Sequence, residues 1–433
     1  MGKAMKNTIN QLWTKDFTII TLGSVVSMLG NALSGFAMSL LVLDFTKSTL
    51  YYALYIFFYT LPKLVMPIIS GPILDRFSRK KAIYTLDFIS AALYLALAVI
   101  LYTGYFNFVF FAIACFIVGA IDSTYNVAYE SFYPLLISKG NYSKAYSVAS
   151  TLQTLAMVMI PVSALVYNSI GIVPLFLFNS VSFFIAAIME TRIGAEEKYI
   201  DEWNTPQDME EQKPRYKLIG EQPHREKREF MRDMKEGLSY LISEKGLLAV
   251  VTYFSFMSFA NGASQVITLP YFKDNYSNGE YVYMMVWGMA VLGRFIGGNI
   301  HYMTKLPTKK KYSIALLVYI VTSLIEGSYL YFIVPIMMGM CFVSGILGVT
   351  SYTIRISATQ NYVPDIKKGR FNGMFSMLNT SGMLLGELLA GILASILPNR
   401  MVLSIFMFIC ALAAAVVIGG NKKQVSAIYN IQA

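Results

Sequence analysis

Charge is scarce in this 433-residue chain: Asp, Glu, Lys and Arg together make up 14%, about half the fraction a soluble globular domain carries. Cysteine is scarcer still. Cys115, Cys341 and Cys410 all fall inside apolar runs, which marks them as small core residues and not as disulfides or metal ligands. Histidine occurs twice, as His224 in a charged stretch and His301 near a helix end, so no His/Cys cluster is available to bind a metal. The chain has no Gly-x-x-x-x-Gly-Lys-[Ser/Thr] loop to cradle a nucleotide phosphate, which argues against ATP as an energy source. It also lacks a Gly-x-Ser-x-Gly elbow, which argues against a hydrolytic enzyme. No cleavable signal is expected, because Met1 to Asp16 is polar and the first apolar run is too long for a signal core.

Apolar residues are abundant instead: 56% of the chain is hydrophobic. They cluster into runs of about twenty, the length that crosses a bilayer core. Twelve such runs are read, at 17–43, 50–70, 82–103, 107–137, 146–168 and 173–193, then 247–272, 281–303, 312–331, 333–361, 371–397 and 400–419. Helix is the expected state for each, because backbone polar groups in lipid must be satisfied within the segment. The expected fold is an all-α membrane protein of twelve transmembrane helices in two six-helix bundles around a central cavity. The bundles occupy 1–193 and 247–433, the second ending in a short tail. Between them, 194–246 is too charged to enter the membrane. Phe230, Met234, Leu238 and Leu241 fall there at helical spacing, so a solvated linker with one surface helix is expected.

The net charge of +10 does not point to nucleic acid, because the basic residues gather in alternate loops. With the N-terminus in the cytoplasm, 29 of the 35 Lys and Arg residues are cytoplasmic. Only Lys47, Lys273 and Arg400 lie in external loops, and Lys63, Arg294 and Arg355 lie in or at the ends of spans. Both termini and the central segment are therefore expected on the cytoplasmic side of a cell membrane. A faint internal repeat supports the two-bundle layout. An offset of 226 places Lys144-Ala-Tyr-Ser147 on Arg370-Phe-Asn-Gly373, each opening a span, and duplicated halves with a midplane site recur among transporters.

Charges within spans are costly and default to functional hypotheses. Asp122 is placed near the midplane of the fourth span. Glu130, eight residues on, lies about 80° round the helix and about 12 Å away in depth. A carboxyl taken out of water can bind and release a proton near neutrality, so Asp122 and Glu130 are candidates for proton coupling, with a static Glu130–Lys63 pair as the alternative. Lys63, Arg355 and Glu387 are further proton-coupling or substrate candidates, Arg355 for an anionic substrate group or a pair with Asp122, and Glu387 for a cavity or packing-seam position. Asp87 is assigned to the charge network of the neighbouring hairpin, and Glu326 to the outside of its bundle. Asn31, Tyr125, Tyr129, Asn261 and Gln265 are candidates to line a cavity.

The hairpin between the second and third spans reads Gly71-Pro-Ile-Leu-Asp75-Arg76-Phe-Ser-Arg79-Lys80-Lys81. Gly71 permits close packing or a tight turn, and Asp75 can cap amides at a helix start. The spacing of glycine, acid and basic cluster resembles the signature between the second and third helices of major facilitator superfamily transporters. By that resemblance Gly71, Asp75, Arg76 and Arg79 form a conformational latch and do not contact substrate. Ser78 stands where the family usually has glycine. The equivalent loop in the second half, Gly298 through Lys311, has Tyr302 in place of the acid. Leu22 to Asn31, Asp44 to Ser48 and Leu61-Pro62 ahead of Gly71 resemble the macrolide-efflux-type branch of drug:proton antiporters. The fifth span departs from that branch: Ile160-Pro161-Val162-Ser163-Ala164 keeps the proline of its exporter motif without the glycines.

The resemblance implies a secondary transporter, not an enzyme. It would work by alternating access and export a small amphipathic molecule against protons. It implies no cofactor beyond a coupling proton, and no partner beyond substrate and lipid bilayer. Import or export of a specific metabolite, siderophore or lipid-like substrate is the first rival, and a non-transporting receptor or scaffold the second. The latch assignment has a direct test. Asp75→Asn is expected to impair turnover in a reconstituted transport assay while the protein still folds and inserts. Wild-type rates from that variant would remove the assignment.

Overall fold

Twelve long helices follow one another along the chain, and no strand occurs among the described residues. The computed structural model describes residues 12–138, 141–197, 238–304 and 306–430. The helices of the first half are α1 Lys15–Thr46, α2 Thr49–Arg76, α3 Arg79–Tyr102, α4 Phe108–Phe132, α5 Tyr142–Ile170 and α6 Val173–Glu190. Those of the second half are α7 Lys245–Asn275, α8 Gly279–Met303, α9 Lys311–Ser328, α10 Val334–Tyr362, α11 Asp365–Ala394 and α12 Asn399–Ala413. Helix α12 continues through a wider turn at Ala414–Gly419, and a short α13 follows at Lys422–Tyr429. Each expected span falls on one of the twelve long helices. Eleven segments are long and apolar enough to cross a membrane. In α5 many side chains of the first half are outside the described set, and the remainder, Met159–Ile170, is apolar.

Local chemistry sets several helix ends. Thr14 accepts from the Phe17 amide at the start of α1. Asn107 accepts from the Val109 and Phe110 amides at the start of α4. Each satisfies amides that the first turn leaves without a helical partner. Lys47 closes α1 in the left-handed region at φ 51°.

The chain divides into two compact units, 1–47 with 55–208, and 48–54 with 209–433. In the first unit α1 packs on α5 and α6, and α3 packs on α4 and α6. The amide of Asn179 donates to Ser34 Oγ at 2.7 Å and to Asn31 Oδ1 at 3.3 Å, which joins α1 to α6. Ser163 Oγ donates to the Leu33 carbonyl. Ser163 and Ala164 are fully buried, so small residues bring α5 onto α1 where the exporter motif would carry glycine. In the second unit α7 packs on α11 and α12, and α9 packs on α10 and α12.

The repeat expected from the 226-residue offset has a physical counterpart. Gly119 of α4 lies against the carbonyl oxygen of Tyr59 in α2, and a Cβ there would collide with it. Gly345, 226 positions on, lies in the same way against the Ala290 carbonyl where α10 crosses α8. Both halves need glycine at the same helix crossing because two backbones touch there.

The C-terminal segment, expected as a simple tail, folds back as α13. Val425, Ile428 and Tyr429 are buried. Tyr429 Oη is 2.9 Å from Tyr319 Oη, and Asn430 Oδ1 accepts from the Tyr312 amide. In the central stretch only 194–197 and 238–246 are described; helix is present at 238–243, while Phe230 and Met234 lie outside the described residues.

The glycine crossings generate a stability test. Gly345→Ala should wedge α10 from α8 at a cost of about 1–3 kcal/mol, read as a lower thermal midpoint of the purified protein. Gly348→Ala, on the same helix but facing open space among the described residues, should leave the midpoint unchanged. Equal behaviour of the two variants would remove the close-packing assignment.

Candidate functional site

A cavity of about 530 Å³ opens within the first unit between α1, α3, α4, α5 and α6. Its volume is in the usual range for small-molecule sites. Helix α4 supplies the most chemistry. Asp122, Tyr125, Asn126, Tyr129 and Glu130 all line the cavity, together with Tyr133 just beyond the helix. Asn31 of α1 and Asp87 of α3 join them, as do Ser24, Ser27 and Ser90. Met28, Ile121, Leu152 and Phe183 complete the wall on the apolar side.

Three of the tyrosines form a ladder. Tyr125 and Tyr129 stack with centroids 6.0 Å apart and planes at 16°, and Tyr129 and Tyr133 stack at 5.1 Å and 23°. The i, i+4 spacing puts the rings on one helix face. Tyr133 anchors the end of the ladder by donating to the Ala145 carbonyl at 2.9 Å.

Asp122 is held by a specific donor: Tyr59 Oη donates to its Oδ2 at 2.7 Å. Lys63 Nζ lies 4.2 Å from the centre of the same Tyr59 ring, and its charge also acts on Asp122. The cation therefore bears on Asp122 through the α2–α4 contact, a partnership not foreseen in the alternative Glu130–Lys63 pair. Glu130 is more exposed and lines the same cavity.

Asp87 does not serve the hairpin, as the sequence suggested. It is 1% exposed, lines the cavity and faces Glu190, which is 0% exposed. Glu190, the last residue of α6, was missed. It closes an apolar run just before Thr191-Arg192 and reads as the polar rim of a span. Tyr59 was missed too, because nothing in a tyrosine-rich helix marks which ring meets an acid.

The remaining candidates belong to the second unit. Glu387 is fully buried in α11, where Gly262 of α7 lies against its backbone, so it occupies the packing seam. Arg355 of α10 is half-buried among three rings, with its guanidinium carbon 4.6 Å from Phe375, 5.1 Å from Phe254 and 5.3 Å from Tyr352. Asn261 lines a second, small cavity of about 20 Å³, room for about one water. Glu326 lines it as well and accepts from Ser344 at 2.6 Å, so it faces inward and not to the outside of its bundle. Gln265 is exposed and donates to Met383 Sδ at 3.7 Å.

At the hairpin, Gly71 lies inside α2, and among the described residues nothing stands within 4 Å of where its Cβ would be. Among the described residues, neither close packing nor a turn accounts for it. The side chains of Asp75 and Arg76 are outside the described set. The start of α3 is capped by other residues. Ser78 Oγ accepts from the Lys81 amide and donates to Glu197. The Glu197 carboxylate accepts the Arg79 amide at 2.8 Å and the Lys80 amide at 3.2 Å, an anion at the positive end of a helix. Arg79 donates to the Ser131 carbonyl at 3.1 Å near the end of α4, where the dipole favours a cation. Lys80 donates to the Ile193 carbonyl. Glu197→Ala should therefore cost about 0.5–2 kcal/mol, measured as a lower thermal midpoint. Glu196→Ala, at an exposed neighbour, should not. An unchanged midpoint for Glu197→Ala would show that the cap contributes nothing.

Known proteins share this organisation. The structure of the nucleoside transporter NupG superposes with a TM-score of 0.64 over 94% of this chain and 99% of that one, at 13% identity. The uncharacterized MFS-type transporter YkuC of Bacillus subtilis (strain 168) is 24% identical over 346 residues, 76% of this chain and 75% of that protein. The family model of the Major Facilitator Superfamily matches residues 20–386. With that match over residues 20–386 and a polar cavity inside the first six helices, the chain belongs to the Major Facilitator Superfamily of membrane transporters, and is a multi-pass transporter and not an enzyme.

Proposed function

We propose that this transporter carries small polar molecules with a flat ring and several hydroxyl groups, nucleosides being the class, by alternating access coupled to protons. The observation that carries the reading is the tyrosine ladder 125–129–133 beside three carboxyl groups in one cavity of about 530 Å³. Stacked rings offer a flat face to a flat ring. Asn31, Asn126, Ser24, Ser27 and Ser90 offer donors and acceptors for hydroxyls and ring nitrogens. That NupG is a nucleoside transporter agrees with this class and does not by itself establish it.

Asp122 is the group assigned to couple proton and substrate, because it lines the cavity and is tied to Tyr59 and Lys63. Loss of a proton there would strengthen its hold on that pair, and gain of one would loosen it. The charge bias among the loops supports a cell-membrane protein with both termini cytoplasmic. The hairpin residues Gly71, Asp75, Arg76 and Arg79 keep their proposed conformational role.

A second reading is proton-coupled efflux of an amphipathic, drug-like molecule. Met28, Ile121, Leu152 and Phe183 on the cavity wall favour it, as does the likeness of the first 80 residues to drug:proton antiporters.

Proteoliposomes with a trapped pH-sensitive dye separate the two. Nucleosides are expected to trigger proton movement in the wild type, and Asp122→Asn to abolish it. Tyr129→Ala should raise the apparent KM for nucleosides about 2- to 10-fold, the equivalent of ~0.5–1.5 kcal/mol for an aromatic stack. Flux triggered by amphiphiles alone would favour the second reading. Silence with both panels would remove proton coupling.

A further inference from the structure

At the cavity wall, Asp87 of α3 and Glu190 of α6 stand within hydrogen-bonding reach of each other. Both are sealed from solvent, at 1% and 0% exposed. Asp87 Oδ2 and Glu190 Oε2 are each fully buried and receive no donor from any described residue. The one polar contact shown for the other side of Glu190 is long: Tyr125 Oη lies 3.5 Å from Oε1. Gly23 of α1 closes the remaining side, where a Cβ would stand 3.1 Å from that oxygen. A third acid, Asp122 of α4, also acts on Asp87 through its charge. The cation Lys63 of α2 is directed at Asp122 and its Tyr59 partner.

Two carboxylates left in this setting would face each other with only the long Tyr125 hydroxyl contact as a donor, beside a third negative charge and away from water. Like charges at hydrogen-bond range do not both ionise, and a carboxyl pair of this kind titrates as one unit. A single proton removes the conflict. It turns one carboxyl into a donor to the other and reduces the charge of the pair from −2 to −1.

We propose that Asp87 and Glu190 form a carboxyl–carboxylate dyad that holds one shared proton, a proton-binding site distinct from Asp122. The dyad borders the cavity through Asp87 and touches the tyrosine ladder through Tyr125. A change in its charge therefore acts on both the cavity's field and the position of Tyr125. Its part in transport rests on the proton-coupled reading above; the shared proton does not.

The test is infrared spectroscopy of the full chain in lipid nanodiscs at about pH 7 in sodium-free buffer. It reads the carbonyl stretch of protonated carboxylic acids before and after exchange into deuterium oxide. Asp87→Asn and Glu190→Gln should each remove one acid's intensity, because the new amide donates to the remaining carboxylate and no proton is needed. The double variant should lose no more than either single one, since both act on the same proton. Loss of nothing in the single variants, or of twice the intensity in the double, overturns the dyad.

Should a variant fail to insert, the wild type answers directly. A hydrophobic carbodiimide reacts with protonated buried carboxyls, and peptide mass spectrometry should find an adduct on Asp87 or on Glu190, never on both in one molecule. No adduct on either, or adducts on both, also overturns it. None of these readouts uses a substrate. A dyad present without nucleoside-driven flux leaves the site standing and removes the transport reading. Proton-coupled flux without the dyad's band moves the coupling to Asp122 or Glu130.

Discussion

Hydrocarbon offers no hydrogen bonds, and every polar group in this protein that lies within a span has to find its partner inside the helices. That constraint explains why polar side chains occur in clusters and not singly. Asn179 knits α6 to α1 through Asn31 and Ser34, and Ser182 braces it within α6. Tyr59 satisfies Asp122 across α2 and α4, and Ser344 satisfies Glu326 across α9 and α10. Where backbones themselves meet, glycine takes the place of a polar partner, at Gly119 and again at Gly345. The same packing solution appearing at one helix crossing in each half is what an internal duplication leaves once most side chains have diverged.

The first unit carries most of the site chemistry. Its cavity has a stacked tyrosine face, an amide and hydroxyl face, and an acidic face. The three acids on or behind that surface are treated differently. Asp122 is given a donor and lies within the influence of a cation. Glu130 is open to the cavity. Asp87 is paired with another acid. A protein that used these groups only to hold helices together would have no need for an acid pair with an orphaned oxygen on each side. Buried ionisable groups are expensive, and in membrane proteins they usually mark ion or proton paths.

The hairpin joining α2 to α3 shows how a sequence signature and its physical execution can part. Glycine, acid and basic cluster stand at the family's spacing, yet the cap of α3 comes from Ser78 and from Glu197, a residue more than a hundred positions away. The departure from glycine at position 78 acquires a reason here, because a serine hydroxyl caps the helix and bonds the distant acid. The hairpin is thereby tied to the segment that follows α6.

Span number, helix positions and the repeat were legible in the sequence because they depend on local quantities: run length, hydropathy and the spacing of charges along one chain. Of the residues read as cavity candidates, Asn31, Tyr125 and Tyr129 line the cavity of the first unit, as do the in-span acids Asp122 and Glu130, while Asn261 and Gln265 do not; polar side chains in an apolar helix turn away from lipid, but that alone does not say which cavity they meet. What the sequence could not supply was partnership. Nothing local pairs Asp87 with Glu190, 103 positions apart, or brings Tyr59 to Asp122, or sends Glu197 to the start of α3. Nor does it send Glu387 to a packing seam, surround Arg355 with three rings, or fold the C-terminal segment back as α13. Each depends on which faces of which helices meet, and that is decided only when the whole bundle packs, because a buried polar group is stabilised by neighbours that the chain delivers from a distance.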